Sequence, residues 1–226
     1  MKMKNIAAVA MAGCMAASLA ACGSSAASTD TAASSSAATA ESTEATEATG
    51  ASADGFTVQL GPNPETLDPA LNSSIDGANT IITTFEPLLL IDENNEVVPG
   101  QAELPEVSED GLTWTFTMKD GLKWSDGSDL TAKDFEYSFK RLACPDTAAP
   151  YGETVVGMID GYDDAIGNPD ADGNTTTDPD WDALNVHASE DGKTLTVQLS
   201  YPCSYFDKLC AFAAMSPVQE ATIEAN

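Results

Sequence analysis

Basic residues are scarce in this 226-residue chain. Lysine and arginine total 9 against 36 aspartates and glutamates, which gives a formal net charge of −27 at pH 7. If an N-terminal leader with Lys2 and Lys4 is removed, two positive charges leave with it and the net charge becomes −29. Because nucleic-acid binding depends on clusters of basic side chains around the phosphates, the composition argues against nucleic acid as a partner.

The chain also lacks the motifs that mark common catalytic and metal sites. It contains no GxSxG, Walker loop, GxGxxG or HExxH pattern. The single histidine, His187, lies in an alternating run, so we interpret it as a strand residue and not as a general base or metal ligand. The acidic loop after Asn168 begins like a calcium-binding loop, but its twelfth position is Pro179, where a bidentate glutamate is needed. We therefore expect no enzyme activity, no cofactor and no metal.

The N-terminus has the features of an export signal. Two lysines precede an apolar stretch, residues 6–21, that is too short for a comfortable membrane span and is typical of a secretory signal peptide. The stretch ends in Leu19–Gly23 (LAACG), which resembles a bacterial lipobox. That resemblance implies removal of residues 1–21 and a diacylglycerol on Cys22. An ordinary signal peptide with a chance cysteine is the alternative.

A tether follows the leader, at residues 22–55. From residue 23 to residue 55 it contains only Gly, Ser, Ala, Thr, Asp and Glu. Such a segment has no large apolar side chain to bury, so we expect it to be disordered. A flexible chain of this length reaches roughly 30 Å and would hold a folded body away from a membrane. A glycosylated or merely low-complexity spacer is the alternative.

Three of the five cysteines, Cys144, Cys203 and Cys210, lie in the part that we expect to fold. An odd number cannot all pair, and no CxxC or Cys/His spacing of a zinc site occurs. If Cys203 precedes a helix that carries Cys210, their separation is too long for a disulfide. We interpret the three as packing residues and leave open one bridge that involves Cys144.

The remaining residues alternate between strand and helix patterns. The predicted strands are Thr57–Leu60, Leu88–Ile91, a hairpin of Thr113–Met118 with Leu122–Trp124, and a hairpin of Asn185–Ala188 with Thr194–Leu199. The predicted helices run from about Asp76 to before Pro87, from a cap at Thr131 to before Pro145, and over part of Glu153–Ile166, with a loop at Asn168–Asp182. This pattern predicts a mixed α/β body with several hairpins.

The helix after Thr131 has the clearest pattern. Thr131 is a favourable N-cap, and Asp134 supplies an acid in the first turn. Phe135, Phe139 and Leu142 fall on one face, which we expect to form part of the core.

Nine short blocks follow one another between about residues 57 and 218. They are Leu67–Pro69 (LDP), Phe85–Leu89 (FEPLL), Val98–Glu103 (VPGQAE), Leu112–Phe116 (LTWTF), Leu122–Gly127 (LKWSDG), Thr131–Ser138 (TAKDFEYS), Pro150–Tyr151 (PY), Leu184–Ala188 (LNVHA) and Pro202–Phe206 (PCSYF). Each block alone is weak, but the ordered series resembles family 5 extracellular solute-binding proteins over nearly all of the expected folded part.

This resemblance implies an α/β fold, the type II periplasmic-binding-protein clamshell, which closes on a solute between two lobes. Residues 56–84 would begin the main lobe, residues 85–200 would form the small lobe, and residues 201–226 would return to the main lobe. Family members usually continue well beyond this length. We therefore expect a fragment that contains the small lobe and the first pieces of the main lobe, with apolar surface exposed where more chain would pack.

The resemblance also implies where a ligand would lie. Ser73, Ser74 and Ile75 fall where the first lobe presents a strand edge, and Tyr151 falls where the small lobe offers a ring and a hydroxyl to the cleft. A plain loop for the first three residues, and a packing aromatic for Tyr151, are the alternatives. Two serines stand where a peptide-binding relative can carry an acidic residue and a glycine.

The function implied by the resemblance is that of a substrate-binding lipoprotein of an ABC importer, which captures peptides outside the membrane. The expected partners are a peptide or another small solute, the permease subunits, and the cell membrane through the lipid anchor on Cys22, with the protein a monomer on the extracytoplasmic side. The alternatives are a receptor for a nickel chelate, haem, a sugar or a signalling peptide, and a non-transport surface or adhesion lipoprotein.

Overall fold

The structure of the protein is a computed structural model that describes residues 58–59 and 61–225. The predicted leader (1–21), the predicted lipidation site Cys22 and the tether that follows it lie outside the described residues. All described residues belong to one compact unit.

The first predicted strand, Thr57–Leu60, lies partly outside the described residues. Its ends, Thr57 and Leu60, are not described, whereas Val58 and Gln59 are exposed and take no regular secondary structure. The pairing of this segment therefore stays a prediction.

The strands of the described part form two antiparallel sheets. They are β1 (Leu89–Ile91), β2 (Val97–Pro99), β3 (Glu106–Val107), β4 (Thr113–Thr117), β5 (Val186–Ala188) and β6 (Thr194–Gln198). Strands β1 and β2 form a hairpin, and the other four pair in the order β3-β4-β6-β5.

Six α-helices and three 3-10 helices lie in the described part of the chain. They are α1 (Ile75–Thr84), α2 (Ala132–Ala143), α3 (Gly152–Val156), α4 (Tyr162–Ala165), α5 (Phe206–Leu209) and α6 (Glu220–Glu224), with 3-10 helices at Pro145–Thr147, Trp181–Ala183 and Ala213–Met215. The longest of them, α2, packs against β5, β6, α3, α4 and α6, so it is the element that connects most of the described fold.

The core lies between the sheet and α2. On β4, Trp114 and Phe116 are buried while the three threonines that alternate with them are more exposed, as expected for a strand with one face in the core. They pair directly with Val197 and Leu195 of β6, which are also buried. This cross-strand set gives the sheet one continuous apolar face.

The predicted start and buried face of α2 are confirmed. The Asp134 carboxylate accepts the Thr131 backbone N–H at 2.7 Å, and the Thr131 hydroxyl accepts the Lys133 N–H at 3.3 Å. Phe135 and Phe139 are fully buried, and their rings meet edge to face with centroids 6.4 Å apart. The first turn is therefore fixed by its own side chains, and the next turns by packing.

Several other predicted elements are also confirmed. Helix α1 ends at Thr84, three residues before Pro87, and the short strand after it matches β1. The hairpin of β5 and β6 has the predicted pairing, and His187 is an exposed residue of β5, with its Nε2 3.2 Å from Asn185 Oδ1.

The predicted hairpin of Thr113–Met118 with Leu122–Trp124 is wrong. Strand β4 pairs with β3 and β6, while Leu122–Trp124 folds back on the residues after it, through a bridge between Lys123 and Asp129. The turn at Gly121, whose φ is +77°, does reverse the chain. Local turn residues specify a reversal, but burial of Trp114 and Phe116 against a distant strand decides the pairing.

The helix predicted within Glu153–Ile166 consists of two short helices, α3 and α4. They are separated by a turn that ends at Gly161, whose φ is +82°. A side chain there would be strained, and its Cβ would lie 2.0 Å from the Ala183 carbonyl oxygen. The close approach of the two backbones therefore interrupts the helical pattern.

The acidic loop at Asn168–Asp182 uses its side chains to shape its own backbone. The Asp170 carboxylate accepts the N–H groups of Asp172 and Asn174, each at 2.9 Å. Among residues 58–59 and 61–225 no group of three or more His, Cys, Asp or Glu side chains is placed to hold a metal ion. Within the same residues no helix has the length and apolar character needed to cross a membrane.

The three cysteines of the described part are free thiols. Cys203 and Cys210 are buried in the core and Cys144 is half-buried, in agreement with their interpretation as packing residues. Burial raises the pKa of the Cys210 thiol, so this group stays protonated and unreactive at neutral pH.

Replacement of Phe139 by alanine should lower the free energy of unfolding by about 3–5 kcal/mol, because the ring is fully buried and its loss leaves a cavity. Chemical denaturation measures the change. The control Tyr201→Ala removes a side chain that is 53% exposed and should cost less than about 1 kcal/mol. Equal losses for the two variants would contradict the position of α2 in the core.

Candidate functional site

The three residues predicted to meet a ligand, Ser73, Ser74 and Ile75, lie at the start of α1. Ser74 is the N-cap, and its Oγ accepts the Gly77 N–H at 3.1 Å. Ser73 is exposed, and the Ile75 side chain is 79% exposed although isoleucine is usually buried. They form a loop and the beginning of a helix, not a strand, and their contact with a ligand stays a prediction.

Tyr151, the fourth predicted site residue, precedes α3 and is half-buried. Its ring meets Phe212 edge to face, with centroids 5.2 Å apart. Phe212 directly precedes the 3-10 helix Ala213–Met215, which packs against α1. The segment that starts at Phe212 therefore connects Tyr151 with the helix of the serine loop. Phe212 was not predicted, because nothing in its sequence context separates it from a core aromatic.

A buried ion pair joins the residues before α1 to α2. Arg141 Nη1 donates to Asp68 Oδ1 at 2.9 Å, and Nη2 donates to Oδ2 at 2.7 Å. The two side chains are 10% and 18% exposed. Hydrogen bonding to Asp68 raises the pKa of Arg141 above its ordinary value, against the opposing effect of burial. This two-point contact fixes both the position and the orientation of the Asp68 carboxylate.

Two further contacts join the last described segment to the same region. Ser138 of α2 accepts the Val218 N–H at 2.8 Å while donating to the Asp134 carbonyl at 2.6 Å. The Gln219 side chain donates to Asp126 Oδ2 and to Ser128 Oγ, each at 3.0 Å. The turn at Asp68 is therefore bonded to α2, and the last described segment is bonded both to α2 and to the loop before it.

A largely apolar groove lies where these segments meet. It has a volume of about 330 Å³ and is lined by residues of four separate stretches, among them Leu67, Pro69, Phe85, Trp124, Val218 and Ile223. The segments predicted to belong to the main lobe thus contact the predicted small lobe along this groove. The lobe boundaries themselves stay a prediction.

The Asp126 carboxylate at the edge of the groove is stabilised in its charged form. Hydrogen bonds, first from the Ser128 side chain and then from the Gln219 side chain, lower its pKa to about 2 from the ordinary value of 3.8. Because the carboxylate is exposed, solvent screens its effect on stability. The Ser128 hydroxyl is the largest cause of the lowered pKa, and the contact with Gln219 adds to it.

The chain matches a known protein family over most of its described part. The family model described as bacterial extracellular solute-binding proteins, family 5 middle, matches residues 96–225, which is more than half of the chain. The chain is a member of this family. The resemblance drawn from the ordered sequence blocks is confirmed, and so is the α/β fold class.

Known proteins resemble the chain over most of its length. It is 38% identical over 165 residues to the periplasmic oligopeptide-binding protein OppA of Salmonella typhimurium, covering 73% of this chain and 28% of that protein. It is 36% identical over 170 residues to the oligopeptide-binding protein OppA of Bacillus subtilis, covering 75% and 29% respectively. The solved structure of Haemophilus influenzae OppA in complex with RPPGFSPFR has a TM-score of 0.65 and 28% identity, covering 74% and 31%. The chain thus spans less than a third of the length of these relatives.

Replacement of Ser128 by alanine should raise the pKa of Asp126 from about 2 toward 3.8, because the largest cause of its lowering is the Ser128 hydroxyl. A carboxyl with a lowered folded-state pKa stabilises the fold above the unfolded-state value and loses this contribution as the pH falls toward 2. An NMR titration of the carboxyl carbon measures the shift. Ser125→Ala, a hydroxyl loss in the same loop, should leave the pKa unchanged, and an equal shift in both variants would contradict the assigned cause.

Proposed function

We propose that this chain is part of a substrate-binding lipoprotein of an ABC importer, which captures peptides outside the membrane and delivers them to the permease. The observation that carries the proposal is the similarity, at 36–38% identity over about three quarters of the chain, to two proteins named for oligopeptide binding. The similar fold of a relative solved with RPPGFSPFR, a short peptide, gives independent support.

A peptide would meet the chain at two places. The loop Ser73–Ile75 offers the exposed residue Ser73 beside the exposed apolar side chain of Ile75, and Tyr151 offers an aromatic ring supported by Phe212. Extended peptides are commonly held through their backbone N–H and C=O groups, which gives affinity with little discrimination between side chains. Such a site suits a receptor for peptides of varied sequence.

The two places lie on segments that we assign to different lobes. Ser73–Ile75 belongs to residues 56–84 of the proposed main lobe, and Tyr151 belongs to residues 85–200 of the proposed small lobe. A ligand that touches both would favour the closed arrangement, because a ligand shifts a conformational equilibrium by its differential contacts with the two states. The closed form would be the one presented to the permease.

The proposed location is the outer face of the cell membrane, with the protein attached through lipids on Cys22. The lipobox-like run Leu19–Gly23 and the polar segment after it support this placement. Two acyl chains on one cysteine anchor a protein far more firmly than a single chain.

Peptide binding is tested by isothermal titration of short peptides into the product of the whole reading frame that encodes this chain. We expect micromolar or tighter dissociation constants with little dependence on side chains, and about a tenfold loss, or 1.4 kcal/mol, for Tyr151→Ala. The control Tyr205→Ala removes an exposed tyrosine outside the proposed site, and this variant should bind normally. Absence of peptide binding, or binding of a non-peptide solute alone, would contradict the proposal.

Anchoring is tested by replacing Cys22 with alanine and separating membrane from soluble fractions. The variant should leave the membrane fraction, because its lipid attachment point is lost. Cys14→Ala, a cysteine loss inside the predicted leader, should leave the protein in the membrane fraction. Retention of the Cys22 variant there would refute the anchor.

A further inference from the structure

The loop Ser73–Ile75 is shaped by a series of hydrogen bonds that begins on α2. The only arginine of the chain, Arg141, holds both carboxylate oxygens of Asp68, at 2.9 and 2.7 Å. Because the guanidinium group is planar and its donors have a fixed geometry, a bidentate pair of this kind fixes direction as well as distance. Helix α2 is itself packed on the sheet, so its ion pair fixes the position of Asp68 relative to the core.

Asp68 also fixes the following turn through hydrogen bonds. Its Oδ1 also accepts the Ala70 N–H at 3.0 Å. Its backbone carbonyl accepts the N–H groups of Leu71 and Asn72, at 3.2 and 3.1 Å. One residue thus sets the backbone of the next four and brings Asn72 under the loop.

Asn72 then holds the loop from beneath. It is 6% exposed, and its Nδ2 donates to the Ser74 carbonyl at 3.0 Å. Its Oδ1 accepts the Ser74 N–H at 3.3 Å and the Ser74 hydroxyl at 3.2 Å. A Cβ at Gly77 would lie 1.9 Å from that Oδ1, so the amide fits closely against the first turn of α1.

The buried Asn72 side chain therefore determines the backbone shape of the exposed loop Ser73–Ile75. The Asn72 amide forms hydrogen bonds with three atoms of Ser74: its backbone N–H, its carbonyl oxygen and its hydroxyl. Ser73, between the two residues, remains exposed, and Ile75 begins the helix. Ordering a free loop when a ligand binds costs conformational entropy, and a loop that is already ordered avoids that cost.

We propose that Arg141, Asp68 and Asn72 are positioning residues that preform Ser73–Ile75 to receive the backbone of an extended peptide. This inference rests on the proposed function, since it assigns the ligand to that loop. None of the three needs to touch the peptide, because they act through Ser74 and the backbone of the loop.

Amide hydrogen exchange in the ligand-free protein tests the positioning directly. Asn72→Ala removes the three bonds to Ser74, and Arg141→Lys keeps the charge but loses the bidentate contact. Both should raise exchange at residues 73–77 by about tenfold or more, with exchange in β4 and β6 unchanged. Asn94→Ala, an amide loss in the exposed turn before β2, and Lys140→Arg, beside Arg141 on α2, are the matched controls and should leave residues 73–77 as they are.

Titration of a peptide into the same variants separates positioning from a general structural role. We expect affinity to fall by about tenfold, with the loss in the entropy of binding, because the peptide must now order the loop. Unchanged exchange at residues 73–77 in both variants would overturn the proposal that Arg141, Asp68 and Asn72 position the loop. Raised exchange with unchanged affinity would overturn its role toward the ligand, and a parent protein that binds no peptide would overturn the proposed function on which that role rests.

Discussion

The contact between Arg141 and Asp68 is the interaction on which the arrangement of the described segments depends. It joins a turn near the beginning of the described chain to the central helix, 73 residues later. Taking two charges out of water is unfavourable, and only good geometry with further hydrogen bonds offsets that effect. Here the guanidinium makes two bonds and the carboxylate a third, to Ala70. Removal of either partner would leave a largely buried charge without its ion-pair partner.

The acidic side chains of the described part whose pKa is shifted all serve turns at the surface. Asp110, Asp126, Asp170 and Asp191 are exposed and Asp92 is half-buried. Hydrogen bonds from nearby side-chain and backbone groups lower the pKa of each of the five. Because these folded-state pKa values lie below the ordinary 3.8, their stabilising effect is present above that pH and is lost as the pH falls below it. These five aspartates, among 36 acidic residues in the chain, therefore have a structural explanation in the turns that they stabilise.

Local patterns predicted the elements whose causes are local. The cap and apolar face of α2, the end of α1 before Pro87 and the hairpin of β5 with β6 all follow from residues close in sequence. The pairing of β4 with β6 does not, because about 80 residues separate the strands and burial selects the partner. Adjacent turn residues correctly predicted a reversal after β4 but not its result.

The candidate site shows the same division. Resemblance to a family pointed to Ser73–Ile75 and Tyr151, while the residues that support them were not predicted. One arginine among 36 acidic residues has too many possible partners for sequence alone to select Asp68. Asn72 and Phe212 have no periodicity that marks them, since their contacts depend on how α1 and the 3-10 helix at Ala213–Met215 come together.

The central claim is that the chain belongs to a receptor that captures peptides of varied sequence. Native mass spectrometry of the whole reading-frame product, mixed with a library of short peptides, tests it most directly. The account predicts one-to-one complexes with many library members, with similar abundance across different side chains. Complexes with no peptide, or retention of a non-peptide solute in their place, would contradict it.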